Sequence, residues 1–144
     1  MNPDVVFQYA NTIALLGWLT LLASPWLAAW TDRISGTLIP LLLAIAYSGL
    51  VLAFWSGAQG GFDSLANVEK LFQTRELVLA GWIHYLAFDL FIGAWAARTA
   101  RAEHIPFVLV VPCLALTFLF GPAGLLAFQS LRFVRARMAA PVAA

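Results

Sequence analysis

Trp82-Ile83-His84-Tyr85-Leu86-Ala87-Phe88-Asp89-Leu90-Phe91 is an apolar stretch with a histidine and an aspartate set into it. It belongs to a longer run, residues 77–97, in which Asp89 is the only formal charge. A helix of roughly 20 residues crosses a hydrocarbon core of about 30 Å, so this run predicts a membrane span. Three further runs have the same character, residues 11–30, 37–55 and 105–128. Apolar residues make up 62% of the 144-residue chain and charged ones 10%, and mean hydropathy is +0.87. That balance excludes a soluble globular domain. The expectation is a single all-α integral membrane domain over residues 1–144, a bundle of four transmembrane helices. The lipid bilayer is its first partner, and nothing in the charge pattern addresses nucleic acid.

Residues 56–76 form the one connection with content of its own. A Gly57-Ala58-Gln59-Gly60-Gly61 hinge precedes Asp63-Ser64, which have the chemistry of helix caps. Leu65, Val68, Leu71 and Phe72 then recur at spacings of three and four, with Asn67, Glu69, Lys70 and Gln73 on the other face. This predicts a short interfacial amphipathic helix over about residues 64–74, between the second and third spans. It serves either as a lid over an opening into the bundle or as plain packing across its end.

The first run resists reading as a signal peptide, because Asp4 and no Lys or Arg precedes it and its apolar core is too long. With four spans, both ends of the chain share one side. Lys70, Arg75, Arg132, Arg135 and Arg137 then lie on that side against Arg33, Arg98 and Arg101 on the other. The excess of basic residues places both termini in the cytoplasm. Arg in place of Lys, abundant Ala and no organelle presequence point to a bacterial inner membrane.

A charged side chain near the bilayer centre costs at least about 2.5 to 3.5 kcal/mol, so it normally faces a partner, a cavity or a substrate. His84 and Asp89 are therefore the catalytic candidates. Gly81, Tyr85, Asp89, Gly93 and Ala97 succeed one another at i+4, a stripe of small and polar groups that turns Asp89 inward. His84 lies about 140° around the helix and about 7.5 Å along it from Asp89, too far for a direct pair. The two either touch opposite ends of one bound group or each meet a polar residue from another span. Asn11, Thr12, Thr20, Tyr47, Ser48 and Thr117 are the candidate partners. Purely structural uses stand beside these: a buried carboxyl that fixes helix register, and a neutral imidazole satisfied by Tyr47. Trp82, Tyr85, Asn11, Tyr47 and Glu76 are the candidate substrate contacts. Trp82 also has an ordinary packing role open to it, and Glu76 the role of a first-turn carboxylate complementing the helix dipole.

The fourth run carries Pro112 and Pro122, each of which removes a backbone hydrogen bond and frees a carbonyl one turn earlier. With Gly124 they predict a kink or break near residues 121–124.

The string from Glu76 through Trp82-Ile83-His84 to Asp89-Leu90-Phe91, with Phe120-x-Pro122-x-Gly124-Leu125-Leu126 and the early Asn11-Thr12, resembles the abscisic-acid-deficient-four family. Its plant members are plastid membrane proteins required to make neoxanthin from violaxanthin. The resemblance implies a carotenoid or related terpenoid as the hydrophobic ligand, and an isomerisation. An epoxide opens to a hydroxyl while the adjacent polyene carbon loses a proton, so no electron acceptor and no cofactor are needed. A general acid and a general base suffice, and His84 and Asp89 are the residues that would supply them in either order.

Other enzyme classes fall away. Two histidines cannot form the multi-histidine di-iron site of membrane desaturases, and His104 at a helix border is badly placed to share a haem with His84. Lys70 lies outside the spans and cannot carry a retinal Schiff base. Cys113 stands alone in an apolar run and offers neither a disulfide nor a thiolate metal cluster, so no metal is implied. Two non-enzymatic readings stay open: a carotenoid-binding or assembly protein within a larger membrane complex, and a proton-coupled carrier acting as a homo-oligomer.

Overall fold

The computed structural model describes residues 2–139, and every regular element among them is helical. Helix α1 (Pro3–Leu22) begins eight residues before the predicted span. Its start is locally encoded: the Asn2 side chain accepts the Asp4 N–H at 3.0 Å, Pro3 occupies the first turn, and Asp4 complements the dipole. The chain leaves the helix before Ser24-Pro25, because proline cannot continue the ladder.

Helix α2 (Ala28–Arg33) runs through a π turn (Ile34–Leu38) into α3 (Ile39–Phe54), so the second span starts well before residue 37. Pro40 has no N–H to return to Gly36, and the ladder widens there; Ile39 donates to Ile34 instead. Ser35, buried in this turn, donates to the Gly17 carbonyl at 2.8 Å and contacts the Thr20 hydroxyl at 2.5 Å, tying the turn to α1. Helix α4 (Leu65–Leu71) is capped by Ser64, whose oxygen accepts the Asn67 N–H at 3.2 Å. It is shorter than the predicted 64–74 and buries only Leu71.

Helix α5 (Arg75–Ala102) is the axis of the molecule. Its Ala and Gly positions allow close approach: a Cβ on Gly93 would come 2.7 Å from the Trp18 ring, and Ala94, Ala96 and Ala97 are fully enclosed. Helix α1 runs parallel to it, from the Asp4–Arg75 ion pair (2.5 Å) through Asn11 on Trp82 to Ser24 on Arg101. Helix α3 runs antiparallel, with Tyr47 beside His84 and Gly36 against Ala94. Three helices, Pro3–Leu22, Ala28–Gly57 and Arg75–Ala102, are long and apolar enough to cross a membrane.

The fourth predicted span is corrected by the structure. Residues 105–128 do not form one helix: α6 (Phe107–Phe120) ends at Gly121, and α7 (Pro122–Ala139) starts directly after it. Gly121 has φ +35° and ψ −87°, a left-handed conformation that turns the chain back on itself. Gly124 then packs on Thr117, where a Cβ would lie 2.5 Å from the Thr117 Cα. The pairing of α7 with α5 establishes the direction of return. Gly121 abuts Asp89, Phe128 packs edge-on to Trp95 at 5.5 Å, and Arg132 holds Glu103 through Nε at 2.9 and 3.0 Å. The pair α6–α7 is thus a hairpin that enters beside α5, reaches its middle and leaves at the same end.

This reversal also corrects the placement of both termini on one side. The described chain begins at the Asp4–Arg75 end of the bundle and finishes at the Glu103–Arg132 end. Pro112, by contrast, sits inside α6 without interrupting it.

Candidate functional site

Asp89 stands thirteen residues before the end of α5 and fourteen after its start, so it marks the middle of the helix. Only 9% of its surface is exposed. The tip of the hairpin presses on it, and a Cβ on Gly121 would fall 2.5 Å from Oδ1, so only glycine fits there in both space and conformation. Oδ2 is fully enclosed and has no hydrogen-bond partner among the described residues. The donors of the hairpin bond within the hairpin. Thr117 donates to the Cys113 carbonyl at 2.8 Å, and the Gly124 and Leu125 N–H groups both reach the Gly121 carbonyl at 3.0 and 3.2 Å. What remains is the positive end of the α7 dipole, which favours a negative charge at this position.

Tyr85, one turn earlier on the same face, completes the hairpin tip. Pro122 cannot donate to the Phe118 carbonyl, and the Tyr85 hydroxyl does so instead at 3.0 Å. A freed carbonyl at the edge of the open cleft is thereby satisfied from a neighbouring helix.

Beyond the tip the hairpin ends and the space beside α5 is open. A cleft of about 320 Å³ lies there, walled by Asn11, Leu15, Trp82, Tyr85, Phe118 and Leu119. The Trp82 indole donates to the Asn11 side-chain oxygen at 3.1 Å, and its ring lies 5.3 Å from Tyr85 and 5.6 Å from Phe7. Leu15 and Phe118 also line a second, almost wholly apolar hollow of about 290 Å³ that continues between α1 and α6 past Trp18 to Leu22 and Val111. At the other end Trp82 borders a smaller hollow of about 160 Å³ that reaches Asp4 and Arg75. Together they make a lateral groove along α1, a helix of about 30 Å.

His84 lies on the other flank of α5. Its ring stacks on Phe88 at 4.5 Å and 20° and lies 5.5 Å from Tyr47, in a separate cleft between α3, α4 and α5. Trp82, Tyr85 and Asn11 are therefore brought together in one cleft, with Asp89 one turn beyond Tyr85 under the hairpin tip and not part of its wall, whereas His84 and Tyr47 form a pair of their own. Glu76, half-buried in the first turn of α5, joins neither. No candidate partner from the other spans hydrogen-bonds to Asp89.

Two functional features carry weak sequence signals. Gly121 is the residue that shapes the Asp89 site, and its signal was the Gly-Pro pair. The second is a polar latch at the far end of the bundle, where Arg101 grips both Asp32 oxygens at 2.6 Å and also meets Ser24. Charged residues at span borders were its only trace.

No curated protein and no solved structure matches the chain. A family model does, the one described as ABA DEFICIENT 4-like, over residues 5–128. The match takes in α1 from Val5, α2 to α6, the hairpin tip and the start of α7, and so the Asp89 site and all of the groove except its Asp4 end. The chain belongs to the ABA DEFICIENT 4-like family.

Proposed function

We propose that this is a carotenoid-related membrane protein that isomerises an oxygenated isoprenoid lying in the lateral groove, with Asp89 as the proton-transferring group. Family membership supports the ligand class, and the groove supports its shape: long, apolar and open to the side, from which a lipid-soluble polyene enters without crossing water. The observation that carries the chemistry is the enclosed Asp89 oxygen without a hydrogen-bond partner. Burying an unsatisfied carboxyl is costly, and such costs are retained where a group has work to do.

The reaction is a proton exchange with no change in composition. The epoxide C–O bond breaks as its oxygen takes a proton, and the adjacent polyene carbon gives one up to form the allene. Asp89 is enclosed by the hairpin tip, so the tip must part from it for the carboxyl to give a proton to the epoxide oxygen and take one back from the polyene carbon. Tyr85 and the Trp82–Asn11 pair position the ring end of the ligand above the carboxyl. His84, on the opposite flank, is left out of this reaction.

A second reading rests on the same contact: Asp89 as a carboxylate that complements the α7 dipole and only holds the hairpin in place. Expression in a carotenoid-producing bacterium separates the two. Wild type yields a new isomeric pigment and Asp89→Asn yields none, while the variant still accumulates in the membrane. Unchanged pigments with wild type would leave the binding or structural role.

The reversed hairpin also supports a different orientation from one with both termini in the cytoplasm. Arg33, Arg98, Arg101, Arg132, Arg135 and Arg137 gather at one end of the bundle, six of the eight basic residues, against Lys70 and Arg75 at the other. The positive-inside rule then puts the Glu103–Arg132 end in the cytoplasm of a bacterial cell and the α1 start outside. Cysteines introduced at Asn2 and at Met138 test this with a membrane-impermeant maleimide on intact cells. Labelling at Asn2 alone is expected, and labelling at Met138 would overturn the orientation.

A further inference from the structure

We infer that the cleft between α3, α4 and α5 is a second ligand site, which takes a planar, oxygen-bearing ring of a lipid-soluble molecule. The cleft measures about 310 Å³ and is walled by Tyr47, Trp55, Phe62, Phe72, Gly81 and His84. Four of those are aromatic side chains and a fifth is an imidazole, a composition that favours a flat conjugated guest over a flexible acyl chain. Trp55 and Phe62 lie 5.2 Å apart at 37°, and Gly81 leaves room for Phe72, whose Cε1 would sit 3.0 Å from a Cβ there. A larger residue at position 81 would push Phe72 off α5 and reshape the wall.

Two polar groups face this apolar surround. The Tyr47 hydroxyl and both His84 ring nitrogens make no hydrogen bond among the described residues. His84 is exposed on the flank of α5 and Tyr47 is half-buried; His84 lies nine residues into the helix, about 13 Å along it, where a span is surrounded by lipid. Polar groups at such depth cost free energy unless something pairs with them, and neither a backbone carbonyl nor another side chain does so here. The ring of His84 is fixed from one side by Phe88, which leaves its edge for the guest. A carbonyl or hydroxyl on a ring seated among the aromatics would meet both groups at once. The cleft shares no residue with the lateral groove and lies across α5 from it, so this site stands or falls apart from the Asp89 chemistry.

Binding of tritiated decylubiquinone to the protein in nanodiscs, measured against empty nanodiscs, tests it. The probe carries an oxygenated ring on a ten-carbon tail, and decylbenzene has the same tail with no oxygen on its ring. Saturable binding is expected, undiminished by excess decylbenzene and weakened about 3- to 10-fold by either His84→Phe or Tyr47→Phe, the loss of one hydrogen bond. His84→Gln, which retains a donor and an acceptor, should bind within about twofold of wild type and so separates hydrogen bonding from packing. Absence of saturable binding, displacement by decylbenzene, or His84→Phe binding as wild type does would each overturn the proposal.

Discussion

The two halves of α5 are built on different principles. From Asp89 to Ala102 it presents Gly93, Ala94, Ala96, Ala97 and Ala100, all enclosed, and large partners close over them: Trp18, Leu21 and Phe128. Over residues 75–88 it presents Trp82, His84, Tyr85 and Phe88, with clefts on both flanks. The first half maximises backbone approach, the second leaves large rings without full cover. Small residues make contacts with neighbouring helices, whereas the exposed aromatics of the other half are left for lipid or for the ligands proposed above. The hairpin divides the two by ending at Asp89, so the boundary between packing and site is a single residue. Each half then predicts its own response to substitution.

At the boundary the largest effect is expected. Asp89→Asn should lower conversion at least about 100-fold, the range of a lost acid/base group. The same substitution should leave thermal stability in detergent nearly unchanged, because it exchanges one enclosed, unpaired polar group for another of the same shape. A fall in both would assign Asp89 to the packed half and make it a support for the hairpin. Next comes the hairpin itself. Gly124→Ala forces a Cβ against the Thr117 backbone, and overpacking of this kind costs about 1 to 3 kcal/mol. Val78→Ala, on an exposed face of the open half, should cost no more than about 0.5 kcal/mol. Equal losses at the two positions would erase the contrast.

The sequence makes the contents of the site more legible than its geometry. The i+4 stripe through Gly81, Tyr85, Asp89 and Gly93 turns Asp89 inward by helical period alone, and its burial follows. The same period sets His84 about 140° away, and the structure accordingly gives it a different cleft. The return of α7 is not legible, because hydropathy is a scalar along the chain and carries no direction. Residues 105–128 have the length of one span, and Gly121-Pro122 is compatible with a kink as well as a reversal. The positive φ at Gly121, the packing of Gly124 on Thr117, and the meetings of Phe128 with Trp95 and Arg132 with Glu103 separate them. The start of α1 is missed for a related reason. Asp4 looks too polar for a span, yet its ion pair with Arg75 and the Asn2 cap let the helix begin there.

Tyr85 reports on how the two halves are joined. Its hydroxyl supplies the hydrogen bond that Pro122 denies to Phe118, so Tyr85→Phe leaves a carbonyl unpaired at the hairpin tip. The expected cost is about 1 to 2 kcal/mol, with a rise in hydrogen exchange confined to residues near the tip. Exchange that rises along all of α7 would mean that the hairpin opens as one unit.

The smallest effect lies where the packed half meets water. Glu103 and Arg132 close the hairpin against the end of α5, and hydrogen bonds from Arg132 hold the Glu103 carboxyl below its ordinary range, assisted by the opposite charge and opposed by desolvation. A carboxylate whose folded value is depressed contributes stability above its unfolded value and loses it as pH falls through the folded one. The contribution is therefore present at neutral pH and disappears on acidification through and below the usual glutamate range. The pair is exposed and screened by salt, so the change in melting temperature should be slight. Glu103→Gln should remove this pH dependence and match wild type in acid, and added salt should act on wild type alone. A large acid shift that persists in Glu103→Gln would move the titrating group away from this pair, and with it the hold of the hairpin on the end of α5.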